Sequence, residues 1–472
     1  MTVRFGTSGL RGPAKELCGQ TTSLYVAAFC EMLRQRQLAS RGDPIFLAED
    51  LRPSSPDIAA LCIGAISNAG FMPVFCGAIP TPALAHHAML KKSAALMITG
   101  SHIPEDLNGI KFYLPDGEIS KQDEQEMSAL ADRLAGTILP ETARAACDGG
   151  AAHRAFLDRA MSLLPDNALS GLRIGLYEHS TVGCDLLREI LAGYGADIVP
   201  LERAATFVAL DTEALPPDMV TRLEGWCRDH RLDAIVSADG DADRPLVASE
   251  HGTPLRGDLL GLITARFLKA DVIVTPVTSN SGLEREGGAS IVRTRVGSPF
   301  VIAGMRDAIR EGRTGVVGFE ANGGFLTASA FPLAQGMLAP LPTRDSILPI
   351  LAVLFSTRQS GKSLSSLAAS FSLPVTDSGR VQQISQEQGH ALVRHLRASE
   401  QNLSRFLSSM GKVQSTRDLD GLRVTLEDGR IIHFRPSGNA PEMRCYVEAA
   451  SPTEAARTLE QGLALIRTFV EG

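Results

Sequence analysis

Asp239, Asp241 and Asp243 stand two residues apart in the run Asp239-Gly240-Asp241-Ala242-Asp243-Arg244. On an extended chain, side chains two apart share a face, so the three carboxylates are expected to converge. Converging carboxylates repel unless a cation sits among them, and an all-oxygen donor set suits Mg²⁺ or Ca²⁺. A helix–loop–helix calcium site is the rival, with Glu250 at the twelfth place. Its sixth place requires Gly but holds Arg244, Pro245 follows, and the residues before it read as a strand. A second chemical stretch, residues 99–111, contains Thr99-Gly100-Ser101-His102-Ile103-Pro104 and Asn108-Gly109-Ile110-Lys111. It follows the apolar run 94–98, which has the length of a buried strand. Gly100 allows a sharp turn and leaves Ser101 at its mouth beside His102. A hydroxyl held there can be phosphorylated, attacked or bound to a metal.

Two further stretches carry polar groups at fixed spacing. Gly318-Phe319-Glu320-Ala321-Asn322-Gly323-Gly324 offers a carboxylate and an amide two apart, which can grip adjacent hydroxyls of a sugar. Arg435-Pro436-Ser437-Gly438-Asn439-Ala440-Pro441, followed by Arg444, can wrap a phosphate with backbone N–H groups, two polar side chains and paired guanidinium donors. Near the start, Phe5-Gly6-Thr7-Ser8-Gly9-Leu10-Arg11-Gly12 could cradle an oxyanion or form a flexible loop. Two patterns lead nowhere. Ser360-Gly361-Lys362-Ser363 has the ending of a P-loop, but Ser356 occupies the place of its first Gly and helix precedes it. Gly-x-Ser-x-Gly is absent, so a hydrolase elbow is not supported.

The elements that must hold these stretches alternate between strands and helices. Helices are expected at 22–36 and 56–69, strands at 45–48, 73–76 and 94–98. The first unit therefore reads as a parallel sheet covered on both faces. Residues 140–152 read as a linker. A second α/β unit follows, with a strand at 173–176, helices at 184–191 and 217–230, and a strand at 232–237 that runs into Asp239. A third has helices at 259–267, 300–310 and 345–355, and strands at 272–277, 291–296 and 315–319. The tail differs: strands at 423–426 and 431–434 flank Asp428-Gly429, a hairpin signal. A third strand at 445–448 precedes a helix opened by Ser451-Pro452-Thr453-Glu454. No internal repeat is evident.

At 472 residues the chain is too long for one core, and two to four domains are expected. The net charge of -7 argues against nucleic acid and anionic membranes as general partners. None of the 8 Cys forms a Cys-x-x-Cys pair, and Cys30, Cys62 and Cys76 lie in apolar runs. Reduced core thiols and a cytoplasmic location are expected.

Taken in order along the chain, the Ser101-His102 loop, the Asp239-Asp241-Asp243-Arg244 loop, the Glu320 loop and the Arg435-Ser437-Gly438 loop resemble the α-D-phosphohexomutase family. Within it the chain is most like the mannose-phosphate members. The resemblance implies three related α/β/α domains with mixed, mostly parallel sheets and a smaller C-terminal α+β domain around a central cleft. The expected boundaries are 1–145, 146–252, 253–370 and 371–472. It implies that hexose 1-phosphate and 6-phosphate are interconverted through an enzyme phosphoserine and a bisphosphorylated sugar. Ser101 would carry the phosphoryl group, with His102, Lys111 and Arg11 lining the reaction centre and Lys111 a candidate proton carrier. Mg²⁺ would be held by Ser101 phosphate, Asp239, Asp241 and Asp243. Arg244, Glu320 and Asn322 would bind the sugar. Arg435, Ser437, Gly438, Asn439 and Arg444 would hold the phosphate that is not reacting. A hexose 1,6-bisphosphate would act as activator, and the protein would be a monomer or dimer. Glucosamine and glucose phosphates are alternative substrates, and Ser279-Asn280-Ser281-Gly282-Leu283-Glu284 leans toward the amino-sugar mutases. A Mg²⁺-dependent sugar phosphatase and a non-catalytic sugar-phosphate sensor are the other classes. Several positions depart from the commoner family pattern, among them Ile103 after Ser-His, Asn322 where Ser is usual and Gly324 where His is common.

Overall fold

A computed structural model describes residues 3–6, 8–136, 143–286, 288–438 and 441–471. Thr7 and Asn439, both in the stretches singled out above, lie outside the described residues.

Three units repeat one sheet plan. In the first, Pro44–Glu49 lies between Met72–Ala78 and Ala94–Ile98, both parallel to it, and Leu107–Leu114 pairs antiparallel with Ala94–Ile98. In the second, Arg173–Tyr177 lies between parallel Asp197–Leu201 and Ala234–Ala238, and Pro245–Ser249 pairs antiparallel with the latter. In the third, Val272–Pro276 lies between parallel Ser290–Thr294 and Val316–Phe319, and Phe325–Thr327 closes antiparallel. The plan was not visible as a sequence repeat, because it is carried by strand order and by apolar residues that differ in type from unit to unit.

The sheets are mixed, and this corrects the fully parallel sheet expected for the first unit. Its antiparallel side is formed by Leu107–Leu114, Leu10–Pro13 and Arg4–Phe5. About eight residues separate Ile98 from Leu107, too few for a crossover helix, so the chain returns beside its predecessor and the antiparallel partner follows from loop length. Two other expectations are corrected. Ala146–Cys147, inside the stretch read as linker, pairs parallel with Val74 and Phe75, and a helix begins at Ala151. Asp345, read as the start of a helix, instead ends the strand Leu341–Asp345, and the helix runs Ile347–Ser360. Gly361, left-handed at φ 65°, caps that helix, which confirms that no phosphate loop is built there.

The core is continuous across the three units. Along Pro44–Glu49, Ile45 and Leu47 face the helices Gln20–Gln35 and Ser55–Asn68. Phe46 and Ala48 face a larger apolar cluster that also takes in Leu186 and Val236 of the second unit and Phe319 and Leu351 of the third. The tail has its own core, from Leu392, Val424, Phe434, Val447 and Ile466 among others. Its sheet runs Val375–Gln382, Glu442–Ala449, Ile431–Pro436, Leu422–Leu426, Val413–Arg417, all antiparallel. This bears out the α+β tail, with Asp428-Gly429 at the expected hairpin turn. All 8 cysteines are free. Among the described residues no helix is long and apolar enough to cross a membrane.

Glu49, at the carboxyl end of Pro44–Glu49, shows what the core costs a charged group. Burial, with Asp50 adjacent, pushes its pKa up to about 7, and its Oε2 has no hydrogen-bond partner among the described residues. The folded chain thus holds this proton more tightly than the unfolded chain does. That contribution is neutral below the ordinary carboxyl range and turns unfavourable as pH rises toward 7. Glu49→Gln is therefore expected to gain in melting temperature over the wild type between about pH 5 and about pH 8, with no gain at about pH 4. Thermal melts at the three pH values measure this.

Candidate functional site

Each unit ends its third strand in a polar loop, before the chain turns back into the antiparallel fourth strand. Ala94–Ile98 delivers Ser101, Ala234–Ala238 delivers Asp239, and Val316–Phe319 delivers Glu320. Loops at the carboxyl ends of strands are where open α/β sheets bind ligands. Here three such ends meet.

The Ser101 loop is shaped by a buried charged pair that the sequence did not reveal. Asp50 accepts hydrogen bonds from Thr99 Oγ1 at 2.7 Å and from Gly100 N at 3.2 Å. Arg52, 1 % exposed, donates to the carbonyls of Ser101, Ile103, Pro104 and Leu107 at 2.5–3.1 Å, and its guanidinium lies 4.3 Å from the Phe207 ring centre. A Cβ at residue 100 would collide with that guanidinium, so Gly100 is needed for room. The turn itself is made by Ser101, at φ 56°, rather than by Gly100 as expected. A left-handed non-glycine residue is strained and persists only where its surroundings over-determine it. Removing Arg52 strips four carbonyls of their donor and leaves Asp50 buried without its ion-pair partner. Arg52→Met is expected to lower stability by about 3–5 kcal/mol, read by urea denaturation.

The acidic loop converges on Ser101 by a different route from the one expected. Asp239 to Asp243 form a tight turn, not an extended strand, closed by Ala242 N donating to Asp239 O at 2.9 Å. Ala242 is left-handed at φ 56°. Gly240 packs directly on the Ser101 carbonyl, where a Cβ would lie 2.7 Å from its oxygen. The loop is pinned from both neighbouring units. Thr81 N, at the start of helix Thr81–Leu90, donates to Asp241 O at 2.9 Å, and Thr81 Oγ1 donates to Asp241 Oδ2. Ser346 Oγ donates to Ala242 O at 2.6 Å.

The chemical groups then meet. Ser101 Oγ donates to Asp239 Oδ2 at 2.5 Å and lies 3.3 Å from His102 Nδ1. Lys111 Nζ bridges Asp241 Oδ2 and Asp243 Oδ2, each at 2.5 Å. Arg244 Nε lies 3.9 Å from Asp239 Oδ2 and 3.7 Å from Asp243 Oδ1. Arg11 donates to Thr99 O at 2.7 Å. Arg344, absent from the expected set, forms ion pairs with Asp243 Oδ2 at 2.8 Å and Glu320 Oε2 at 3.2 Å. It was hidden because residues 341–344 were assigned to no element and its partners lie 101 and 24 residues away.

Charge and burial set the protonation states. Burial, with Asp241 and Asp243 alongside, pushes the Asp239 carboxyl up. Burial pushes Asp243 the same way, but Arg344, Lys111 and Arg244 outweigh it and hold that carboxyl low. Burial, with Arg244 and Arg11 nearby, holds the His102 imidazole well below its usual range, so the ring is neutral at pH 7. Burial lowers Arg11 to about 10, which leaves it cationic.

The acidic loop fits a hard divalent cation. One carboxylate oxygen from each of Asp239, Asp241 and Asp243 lies within 4.8 Å of the others. Asp241 Oδ1 and Asp243 Oδ1 are buried without a hydrogen-bond partner among the described residues. Orphaned buried carboxylate oxygens are costly, and oxygen-only sets of this kind are those that Mg²⁺ takes.

The remaining expected residues are held by contacts of their own. Asn322 Oδ1 accepts from Gly324 N at 3.0 Å and so shapes its own turn. Ser437 and Gly438 lie in the loop between Ile431–Pro436 and Glu442–Ala449. Arg435 pairs with Asp420 at 3.0 Å, and Arg444 with Glu442 at 2.9 Å. The tail touches the third unit through Asp420, which accepts from Val296 N at 2.9 Å, and through Glu448, which accepts from Ser281 N at 3.1 Å. Asn439 is outside the described residues.

With this geometry in place, comparison with known proteins is specific. Residues 2–135 match the family model for phosphoglucomutase/phosphomannomutase, alpha/beta/alpha domain I. Residues 256–373 match that for domain III, and 376–465 that for the C-terminal domain. The chain is 50% identical over 473 residues to a phosphomannomutase of Sinorhizobium fredii, covering 99% of each. It is 39% identical to a phosphomannomutase of Salmonella muenchen, covering 99% of this chain and 96% of that one. A crystal structure of a phosphoglucomutase/phosphomannomutase family protein from Burkholderia thailandensis shares the fold, with a TM-score of 0.74 at 20% identity over 99% of this chain and 98% of that one. Three domain models, two full-length relatives and a site that sets a serine hydroxyl against an acidic loop agree: the chain belongs to the phosphoglucomutase/phosphomannomutase family.

Proposed function

We propose that this protein interconverts hexose 1-phosphate and hexose 6-phosphate, with mannose phosphates as its main substrates. The observation that carries the reading is the 2.5 Å contact between Ser101 Oγ and Asp239 Oδ2, which brings a hydroxyl of one unit onto the acidic loop of another. Phosphoryl transfer depends chiefly on positioning and charge neutralisation. Asp239, Asp241 and Asp243, with a phosphate oxygen on Ser101, would hold Mg²⁺. When bound, it would neutralise charge on the transferring oxygens.

The other roles are those that the family resemblance implies. Phosphoserine 101 passes its phosphoryl group to the free hydroxyl of a hexose phosphate. The P–O bond to Ser101 breaks as the bond to the sugar oxygen forms, and the hydroxyl proton goes to a nearby base. Neutral His102, 3.3 Å from Ser101 Oγ, and Lys111, between Asp241 and Asp243, are the groups placed to exchange that proton. The bisphosphorylated sugar reverses its orientation, and its other phosphate returns to Ser101. Arg11 and Arg244 line the transfer path. Glu320 and Asn322 bind the sugar hydroxyls, and Arg435, Ser437, Gly438, Asn439 and Arg444 hold the phosphate that is not reacting. A hexose 1,6-bisphosphate primes Ser101 when it is unphosphorylated. The four divisions 1–145, 146–252, 253–370 and 371–472, a cytoplasmic location and a monomeric or dimeric state belong to the same reading.

Initial rates with the 1-phosphates of mannose, glucose and glucosamine, with catalytic bisphosphate supplied, test the substrate. Mannose 1-phosphate is expected to give the highest kcat/KM. A preference for glucosamine 1-phosphate would overturn the choice of sugar. Release of inorganic phosphate without isomerised product would overturn the mutase.

A further inference from the structure

We infer that Arg344 is a positioning residue that ties the metal-binding acids to the sugar-binding carboxylate, so that one guanidinium sets the geometry of both. The inference deepens the function proposed above and rests on it. Arg344 is 3 % exposed and lies near the end of Leu341–Asp345. Its Nε donates to Asp243 Oδ2 at 2.9 Å, and Nη2 lies 2.8 Å from the same oxygen. Its Nη1 donates to Glu320 Oε2 at 3.2 Å, and Nη2 reaches Ser8 Oγ at 3.5 Å. One side chain thus touches the second unit at its acids, the third at its sugar loop and the first near its amino end.

Three observations separate this from an ordinary buried ion pair. First, the fork occupies Asp243 Oδ2 and leaves Asp243 Oδ1 without a hydrogen-bond partner among the described residues, so the oxygen left over is one suited to a cation. Second, the planar guanidinium reaches two carboxylates on separate loops at once, a geometry that an ammonium cannot reproduce. Third, the space is reserved for it. A Cβ on Gly324 would lie 2.5 Å from Arg344 Cδ and 2.8 Å from its Cγ, so the glycine after Glu320 is what admits the arginine stem. Two residues on, Ser346 fastens the same acidic loop at Ala242 O, 2.6 Å away. The strand end therefore grips the loop beside and at Asp243, next to a left-handed alanine that would otherwise relax.

The test uses two affinities measured apart from turnover. Mg²⁺ binding is titrated calorimetrically without sugar. Mannose 1-phosphate binding is titrated in Ser101→Ala protein with EDTA present. Arg344→Lys keeps the charge and removes the fork. Gly324→Ala keeps the arginine and displaces its stem. Each is expected to weaken Mg²⁺ binding by about tenfold, as loss of a ligand's hydrogen-bonded support does. Each is also expected to weaken metal-free sugar-phosphate binding by about fivefold, the size of one lost orienting hydrogen bond. In a Glu320→Gln background, Arg344→Lys is expected to leave sugar-phosphate affinity unchanged while still weakening Mg²⁺. Far-UV circular dichroism and melting temperature confirm that the variants are folded. If either affinity stays at the wild-type value in both folded variants, the proposal is overturned. Failure of the underlying reading looks different: Asp241→Asn would leave Mg²⁺ affinity intact, or Glu320→Gln would leave sugar-phosphate affinity intact, with Arg344 in place. That result would overturn both.

Discussion

Ser101→Ala is expected to lower turnover by on the order of 10⁴-fold or more, because in the proposed mechanism it removes the atom that accepts and donates the phosphoryl group. The substitution is small in every other respect. Alanine takes the same left-handed backbone that Ser101 adopts, and the backbone bonds that hold the loop, from Ser101 N to Thr99 Oγ1 and from Arg52 to Ser101 O, do not involve the hydroxyl. Asp239 Oδ2 loses its donor, but its partners Asp243 N and Arg244 N bond to Oδ1 and remain. Stability is therefore expected to change by no more than about 1 kcal/mol, the net worth of one hydrogen bond. The groups proposed to bind the sugar and its distal phosphate are untouched, so calorimetric affinity for mannose 1-phosphate should stay within a fewfold of the wild type. A coupled assay with catalytic bisphosphate supplied, beside that titration, measures both. Turnover within tenfold of the wild type would sink the phosphoserine.

Asp241→Asn is expected to cut turnover by about 10²–10³-fold, the usual loss when one preorganised charge is removed from a phosphoryl-transfer site. Asparagine is nearly isosteric and still accepts from Thr81 Oγ1, so the pin from helix Thr81–Leu90 survives. Lys111 keeps Asp243 at 2.5 Å and is not stranded. What disappears is one negative charge and one anionic oxygen, Asp241 Oδ1, that has no hydrogen-bond partner among the described residues. The deficit should therefore appear as weakened Mg²⁺ affinity, and raising Mg²⁺ should recover part of the rate. A variant with unchanged Mg²⁺ affinity and unchanged rate would remove the acidic loop from the mechanism.

What the sequence disclosed, and what it withheld, divides by distance along the chain. Ser101 beside His102, and three acids two apart, are local patterns, and their residue types already name a chemistry. The manner of their convergence was not local. Period-two alternation predicts a shared face, whereas the acids meet because Ala242 turns left-handed and the loop closes on itself. Arg52, Thr81 and Arg344 were illegible for one reason: each acts on a loop 49 to 160 residues away. An isolated arginine or threonine in a helix or strand carries no mark of such a partner. The fourth strands were missed because Pro245–Ser249 and Phe325–Thr327 are short and follow polar turns. Periodicity needs more residues than these strands supply. The tail was more legible, since Asp428-Gly429 marks the short turn between Leu426 and Ile431 and with it the antiparallel pairing of Leu422–Leu426 on Ile431–Pro436.

The apolar cluster that runs without a break from Phe46 through Val236 to Phe319 bears on how such chains can be shuffled. A cassette taken from one relative and spliced into another must match the surfaces it meets. Exchanging any one of the first three units would set foreign side chains against two others at once, and misfit in a close-packed interior is punished by the methylene. The tail carries a separate interior and meets its neighbour chiefly through polar groups such as Asp420 and Glu448. An exchange of segments between relatives would therefore be tolerated best at one seam, near residue 374, where the tail and its loop at 437–438 could be replaced as a unit while the first three interiors stay as they are.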